Sequence, residues 1–230
     1  MSQPKMEFLF GDRVLQLQSL DILTAPVDVI VNPANASLIH GGALALQIQN
    51  AAGIELENQS KTLIEEYGLL ESGMAVFTTA GNLPHKAVIH AVGPQMGEGD
   101  EHHKLEQAFL RSLLLCETND WASIAFPAIS TGVFRVPVEI CASACFKAIT
   151  HFWDARNECS VEKIIVCLTK NNFDEFFNAF REESFDDNEE SDITPIEASN
   201  DSNEERIGYV EIDEQALKDL DKDETDDWFK

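Results

Sequence analysis

The chain has 230 residues and 44% hydrophobic content, enough for one full core, and a formal net charge of −25. Residues 181–230 carry 20 acids and 5 bases, which leaves 21 acids and 11 bases, a net of −10, to the first 180 residues. Both parts are acidic, so nonspecific attraction to nucleic acid or to an anionic membrane is excluded, and a phosphate-bearing ligand has to be held by local amides rather than by the overall field.

The N-terminal MSQPKMEFLFGD has neither the basic segment nor the apolar run of a signal peptide, and no stretch reaches transmembrane length. This predicts a soluble, cytoplasmic chain with no membrane partner, and it leaves the final address open. Glu7–Phe10 and Arg13–Leu20 read as a hairpin turning at Gly11–Asp12. Asp21 follows, an isolated carboxylate at a strand end that either caps the next turn or accepts from an amino group such as that of adenine. Val27–Val31, Ala75–Thr79, Ala87–Val92, Ser123–Ile129 and Lys163–Leu168 are short and rich in Val, Ile and Ala, as strands covered on both faces should be. Helical patterns lie between them. Ala43–Ala52 is one, Leu105, Phe109, Leu113 and Cys116 mark the apolar face of a second, and Ile140, Ala144, Ala148 and Phe152 mark a third behind Pro137. Phe173–Phe180 closes the core as a last short helix. Strands and helices alternating in this way predict a three-layer α/β/α domain with a mixed, mostly parallel sheet.

The character changes after Glu182. The stretch EESFDDNEESDITPIEASNDSNEER is poor in apolar residues and self-repelling, which predicts a domain over 1–181 and an acidic, largely disordered tail over 182–230. Within it, residues 207–220 read as a short ordered peptide, either solvated or a docking segment for a protein partner. The five cysteines (Cys116, Cys141, Cys145, Cys159 and Cys167) are odd in number, form no CxxC and mostly sit in apolar segments. They read as buried thiols in a reducing compartment rather than as disulfides or a metal site.

Two loops carry the chemistry. The first, NPANASLIHGGALALQIQNAAG from Asn32 to Gly53, follows a strand and runs into a helix, with Gly41 and Gly42 removing side chains where backbone has to approach a bound group. The second, STGVFRVP from Ser130 to Pro137, offers a nest of N–H donors at Ser130, Thr131 and Gly132, two hydroxyls, and Phe134, which is either a core side chain or a cover for a sugar ring. Helix N-termini and glycine-bearing loops bind phosphates. Two of them at the carboxyl ends of strands suggest a diphosphate between them.

The pairing of VDVIVNPANASLIHGG…AAG with SIAFPAISTGVFRVP, and AVIHAVGP between them, resembles the macro domain family over roughly residues 13 to 180. The resemblance implies a macro-domain-like fold and an ADP-ribose pocket. In it Asp21 and Ile22 meet the adenine, and Asn35 bonds the distal ribose. Gly41, Gly42 and Leu44 line the sugar and diphosphate, while Ser130, Thr131, Gly132, Val133 and Phe134 wrap them from the other side. The chain departs from the family pattern at Ala43 and Arg135, where glycines are common, at Pro33, where a small residue is usual, and at Leu168, where some members stack an aromatic on adenine. Ala45 stands where MacroD-type hydrolases carry an aspartate, so His40 is the only titratable side chain from Asn32 to Gly53. It reads as loop packing or as catalytic.

Two functions follow from the resemblance. One is a hydrolase that removes mono-ADP-ribose from acidic side chains or deacetylates O-acetyl-ADP-ribose, with Asn35, Gly42 and His40 as candidate catalytic residues. The other is a non-catalytic reader of ADP-ribosylated proteins. Neither calls for a cofactor or a metal. There is no GxxxxGK[ST], no HExxH and no cysteine followed six residues later by arginine, and His102–His103 has no spaced partner for metal binding.

Overall fold

Side-chain alternation along the central strands assigns two faces to one sheet. In the strand Val29–Ala34, Val29 and Val31 pack into one apolar cluster and Ile30 into another, and the later strand Lys163–Cys167 divides Ile164 from Ile165 in the same way. A sheet that is apolar on both faces needs helices on both. The computed structural model describes residues 5–156 and 159–186, and in it helices cover both faces.

The order is β1 (Lys5–Phe10), β2 (Arg13–Gln18), a 3-10 turn (Ile22–Thr24), β3 (Val29–Ala34), α1 (Ala43–Ala52), α2 (Ile54–Tyr67), β4 (Ala75–Thr79), β5 (Ala87–Val92), α3 (Glu101–Thr118), β6 (Ser123–Pro127), α4 (Val138–Asp154), β7 (Lys163–Cys167) and α5 (Lys170–Asp186). The seven strands form one mixed sheet in the order β1-β2-β7-β6-β3-β5-β4, antiparallel at its two outer pairs and parallel between. The three-layer α/β/α architecture and the opening hairpin, turning at Gly11 with φ 62°, are as the sequence predicts. The larger core, with Phe109, Phe126, Phe152, Phe176 and Phe180, lies under α3, α4 and α5; the smaller, with Ile48 and Leu56, lies under α1 and α2.

Several bounds differ from the sequence reading, β2, β6 and β7 each ending one or two residues early and α5 starting at Lys170, and three differences bear on the fold. A second helix, α2, follows α1 at once, because Gly53 at φ 91° breaks the helix and restarts it in another direction. Strand β3 starts at Val29 rather than Val27 and continues through Pro33. Pro33 is tolerated because β3 pairs with β5 as far as Ala34 but with β6 only at Val29 and Ile30, so no partner on that side needs its missing N–H. Helix α5 runs past the predicted Phe180 to Asp186. The peptide at 207–220 and the rest of the predicted tail beyond Asp186 lie outside the described residues.

The pairing pattern also positions the site. Asp28 ties the amino ends of β3, β5 and β6 together. Its Oδ2 accepts from the Ala122 amide at 2.7 Å, its own amide donates to Ser123 Oγ at 2.8 Å, and its carboxylate meets Lys86 Nζ at 3.1 Å. Beyond Ile30, β3 and β6 no longer pair. The sheet is closed at one end and parted at the carboxyl end, where open α/β sheets bind ligands.

Candidate functional site

The β3–α1 loop and the β6–α4 loop leave the sheet side by side at this parted end. Helix α1 starts behind Gly42 with no side-chain cap, so the amides of its first turn are unpaired and aim the positive end of the helix dipole outward. In the second loop, Arg135 N donates to Gly132 O and Val136 N to Ser130 O, which closes a tight turn. Among the described residues, the amides of Thr131, Gly132, Val133 and Phe134 have no protein acceptor.

The glycines at this place are distinctive. Gly41, Gly42 and Gly132 have ordinary backbone angles, and a Cβ added to any of them meets nothing within 4 Å. The other described glycines either take a left-handed φ or, like Gly93, are packed against neighbours. The protein itself therefore has no need of glycine at these three positions, and the free space there suits an occupant.

Backbone strain gathers on the same loops. Leu38 (φ 51°), Ser130 (φ 64°) and Arg135 (φ 58°) all take left-handed conformations without being glycine, at a cost of about 1 kcal/mol or more each. Arg135 stands where family members commonly have glycine, and the backbone there is of the kind glycine adopts freely. Ala43 is free of such strain, being the first residue of a helix and exposed. Ser130 is only 7% exposed and its Oγ has no partner, while Thr131 Oγ1 donates to Ala128 O at 2.9 Å.

A cavity of about 660 Å³ opens beside the loops. Of the sequence-predicted residues it is lined by Asn35 and Phe134; the rest of its wall includes Ser37, Leu69, Glu71, Ser72, Gln95, Glu98 and Lys104. Gly41, Gly42, Ser130, Thr131, Gly132 and Val133, on the flanking loops, and Leu44, in the first turn of α1, lie outside that wall. Asn35 is engaged with its own loop: its Oδ1 accepts from Ile39 N at 3.0 Å and Ser37 Oγ at 3.1 Å, and its Nδ2 donates to Ile39 O at 2.8 Å. Asp21 caps the 3-10 turn through Leu23 N at 3.0 Å and is otherwise exposed, which leaves its second oxygen open. Ile22 is buried in the smaller core, so only its backbone is available to a ligand. Leu168 is buried in the larger core and gives no aliphatic platform for a base.

His40, which the sequence leaves as loop packing or catalytic, has its side chain buried under the first loop in a row of polar groups. Asn32 Nδ2 reaches His40 Nδ1 at 3.1 Å and His90 Nδ1 at 2.9 Å; His40 Nε2 reaches Ser60 Oγ at 3.2 Å and His90 Nε2 reaches Thr78 Oγ1 at 2.9 Å. Ser60 Oγ donates onward to Leu56 O at 2.8 Å. The row is consistent when both rings are neutral with the proton on Nε2, so that the two Asn32 N–H bonds are each accepted by an Nδ1. Burial pushes His90 down to about 3, with His40 adding to the effect, and burial also holds His40 below the ordinary value. With both nitrogens engaged, His40 braces the loop from behind and is not presented to the cavity.

This arrangement fixes a pH dependence. A histidine that stays neutral in the fold but titrates near 6.5 when unfolded contributes stability that is complete above that value and is lost as pH falls toward the folded pKa. His40, His85 and His90 are all shifted this way, chiefly by burial. Stability is therefore expected to drop between pH 6.5 and 5, before most carboxylates protonate, by up to roughly 1.4 kcal/mol per pH unit for each such histidine. Thermal melts across that window test it, and a flat melting temperature contradicts the neutral row.

The four buried cysteines and half-buried Cys159 are all free thiols, with burial pushing Cys167 up to about 12. Among the described residues, no helix is long and apolar enough to cross a membrane.

Comparison with known proteins adds three findings. The family profile described as Macro domain matches residues 31–145. An O-acetyl-ADP-ribose deacetylase of Enterobacter sp. (strain 638) is 43% identical over 152 residues, 65% of this chain and 79% of that protein, and one of Escherichia fergusonii is 46% identical over 134 residues, 57% and 76%. Among solved structures, the Oceanobacillus iheyensis macrodomain with ADP superposes with a TM-score of 0.76 at 27% identity, covering 81% of this chain and all of that one.

Proposed function

This chain belongs to the macro domain family, and from that premise we propose that it binds ADP-ribose and hydrolyses an ester on the distal ribose. The acyl group is either the acetyl of O-acetyl-ADP-ribose or the side-chain carboxylate of a mono-ADP-ribosylated protein. The observation that carries the reading is the open space at Gly41, Gly42 and Gly132 beside amides with no protein acceptor among the described residues. The diphosphate lies between the start of α1, with Gly41, Gly42 and Leu44, and the turn Ser130–Phe134, each supplying N–H donors to its oxygens. The free oxygen of Asp21 and the backbone of Ile22 meet the adenine. Asn35 exchanges its bond to Ile39 for a ribose hydroxyl, and Phe134 covers the sugar.

Hydrolysis adds water to the ester carbonyl and breaks the acyl–oxygen bond, and the ribose oxygen takes the proton. No metal or cofactor enters this step. With Ala45 in place of the aspartate and His40 turned inward, the protein's contribution is orientation: the distal ribose and its ester are held so that water arrives along one line. Gly42 leaves room for that approach, and His40 acts only by bracing the loop. The engagement of both His40 nitrogens favours, as a second reading, a binding domain without turnover. We assign this work to residues 1–181, within a reducing cytoplasm that keeps the five thiols free, and assign the acidic residues 182–230 to docking a protein partner.

Calorimetry of the full chain with ADP-ribose, followed by single-turnover release from O-acetyl-ADP-ribose and from a glutamate-linked substrate, tests the reading. Binding with release faster than in buffer supports the hydrolase. Binding without release leaves the second reading, and no heat ends both. Asn35→Ala is expected to weaken ADP-ribose binding about tenfold through loss of a buried hydrogen bond.

A further inference from the structure

We propose that the cavity beyond Asn35 and Phe134 seats a stretch of polypeptide joined to the ADP-ribose, and that it selects basic sequence around the modified side chain. The inference rests on the ADP-ribose reading and deepens it. Position is the first argument. The cavity shares Asn35 and Phe134 with the end of the site assigned to the distal ribose, and none of the diphosphate glycines lines it. Whatever fills it is therefore attached beyond that ribose. At about 660 Å³ it has the volume of a pocket for a ligand of many heavy atoms, far larger than an acetyl group.

Its charge is the second argument. Glu71 and Glu98 line it, and Lys104 is the one cation in its wall. Lys104 is already neutralised by Glu98 at 3.1 Å, and Glu98 Oε2 also accepts from Gln95 N at 3.0 Å. Glu71 is exposed and has no side-chain partner among the described residues, so the wall presents an uncompensated negative charge.

The mouth is the third. Ile39 (69% exposed), Leu69 (70%), Met96 (55%) and Val133 (79%) sit one on each of four loops, β3–α1, α2–β4, β5–α3 and β6–α4, and each belongs to the cavity wall or lies within a few residues of it in the chain. The loops are tied in pairs, Leu70 N to Ala36 O at 2.9 Å and Met96 N to Phe134 O at 2.9 Å, so the rim is built rather than frayed. Large exposed apolar side chains gathered on the loops that carry the cavity are of the kind found at macromolecular contacts, and the acidic wall and net −10 body match a basic partner.

The experiment uses the full chain and three probes: free ADP-ribose, and two peptides carrying one ADP-ribose through a non-hydrolysable link, flanked by Arg and Leu in one and by Glu and Ser in the other. Calorimetry is expected to show the basic peptide binding roughly tenfold tighter than free ADP-ribose and the acidic peptide no tighter. Glu71→Lys and Leu69→Ser are each expected to reduce that preference while leaving free ADP-ribose unchanged. Equal affinity for all three probes overturns the polypeptide subsite but keeps the ADP-ribose reading. Absence of heat with every probe, free ADP-ribose included, overturns both.

Discussion

Replacing Gly132 with glutamate is expected to abolish ADP-ribose binding while leaving the melting temperature where it was. Gly132 is exposed, its backbone angle is ordinary, and a Cβ built on it meets nothing within 4 Å, so the folded protein accepts a side chain there without adjustment. A bound diphosphate does not. The new carboxylate projects from the turn whose amides are assigned to the phosphate oxygens, and like charges about 5 Å apart at an effective dielectric near 20 repel by roughly 3 kcal/mol. That alone lowers affinity by about two orders of magnitude, before any steric term is added. Calorimetry and a thermal melt on the same preparation provide the check. Wild-type affinity in Gly132→Glu removes the second loop from the site, and a large fall in melting temperature shows that the glycine served the fold instead.

Gly93→Ala is expected to do the reverse and damage the fold first. Gly93 is buried at the end of β5, and a Cβ on it would collide with Ser130 Oγ and stand 2.6 Å from Ile129 Cγ2. Ile129 is fixed in the core, so the new methyl group has to press on it even where Ser130 turns its unpartnered Oγ aside. Overpacking of this kind costs about 1–3 kcal/mol, which for a domain of this size lowers the melting temperature by roughly 3–10 °C. Because the displaced residue begins the turn assigned to the diphosphate, ADP-ribose affinity should fall with it. Adding Ser130→Gly removes the closer clash and suits the left-handed backbone, so the double variant is expected to recover part of the loss. Full stability in Gly93→Ala contradicts the packing described.

The contrast between these two glycines shows where sequence reading succeeds and where it stops. Both loops, the helix that starts behind Gly42, and the layered α/β/α core were legible, because periodicity and small-residue placement are local properties of the chain. The strand-to-turn boundary at Val27 was misread because pairing with β5 and β6 starts only after Asp28, whose bonds reach residues more than ninety positions away. The end of β3 was misread because whether a proline is tolerated depends on which neighbour pairs there. Loop packing and catalysis stayed equally open for His40, since nothing in its own loop reveals His90, which the β3–β5 register sets directly opposite Asn32. The cavity wall escaped notice altogether. Leu69, Glu71, Gln95, Glu98 and Lys104 carry no motif and meet only when α2–β4, β5–α3 and α3 are folded against Asn35 and Phe134.

The vacant room at Gly41, Gly42 and Gly132 also separates what keeps this molecule in shape from what keeps it employed. Lineages that stop using the nucleotide are free to fill those positions and remain well folded, so survival of the architecture says nothing about survival of the trade. On the assignment proposed above, those three sites report on use rather than on shape.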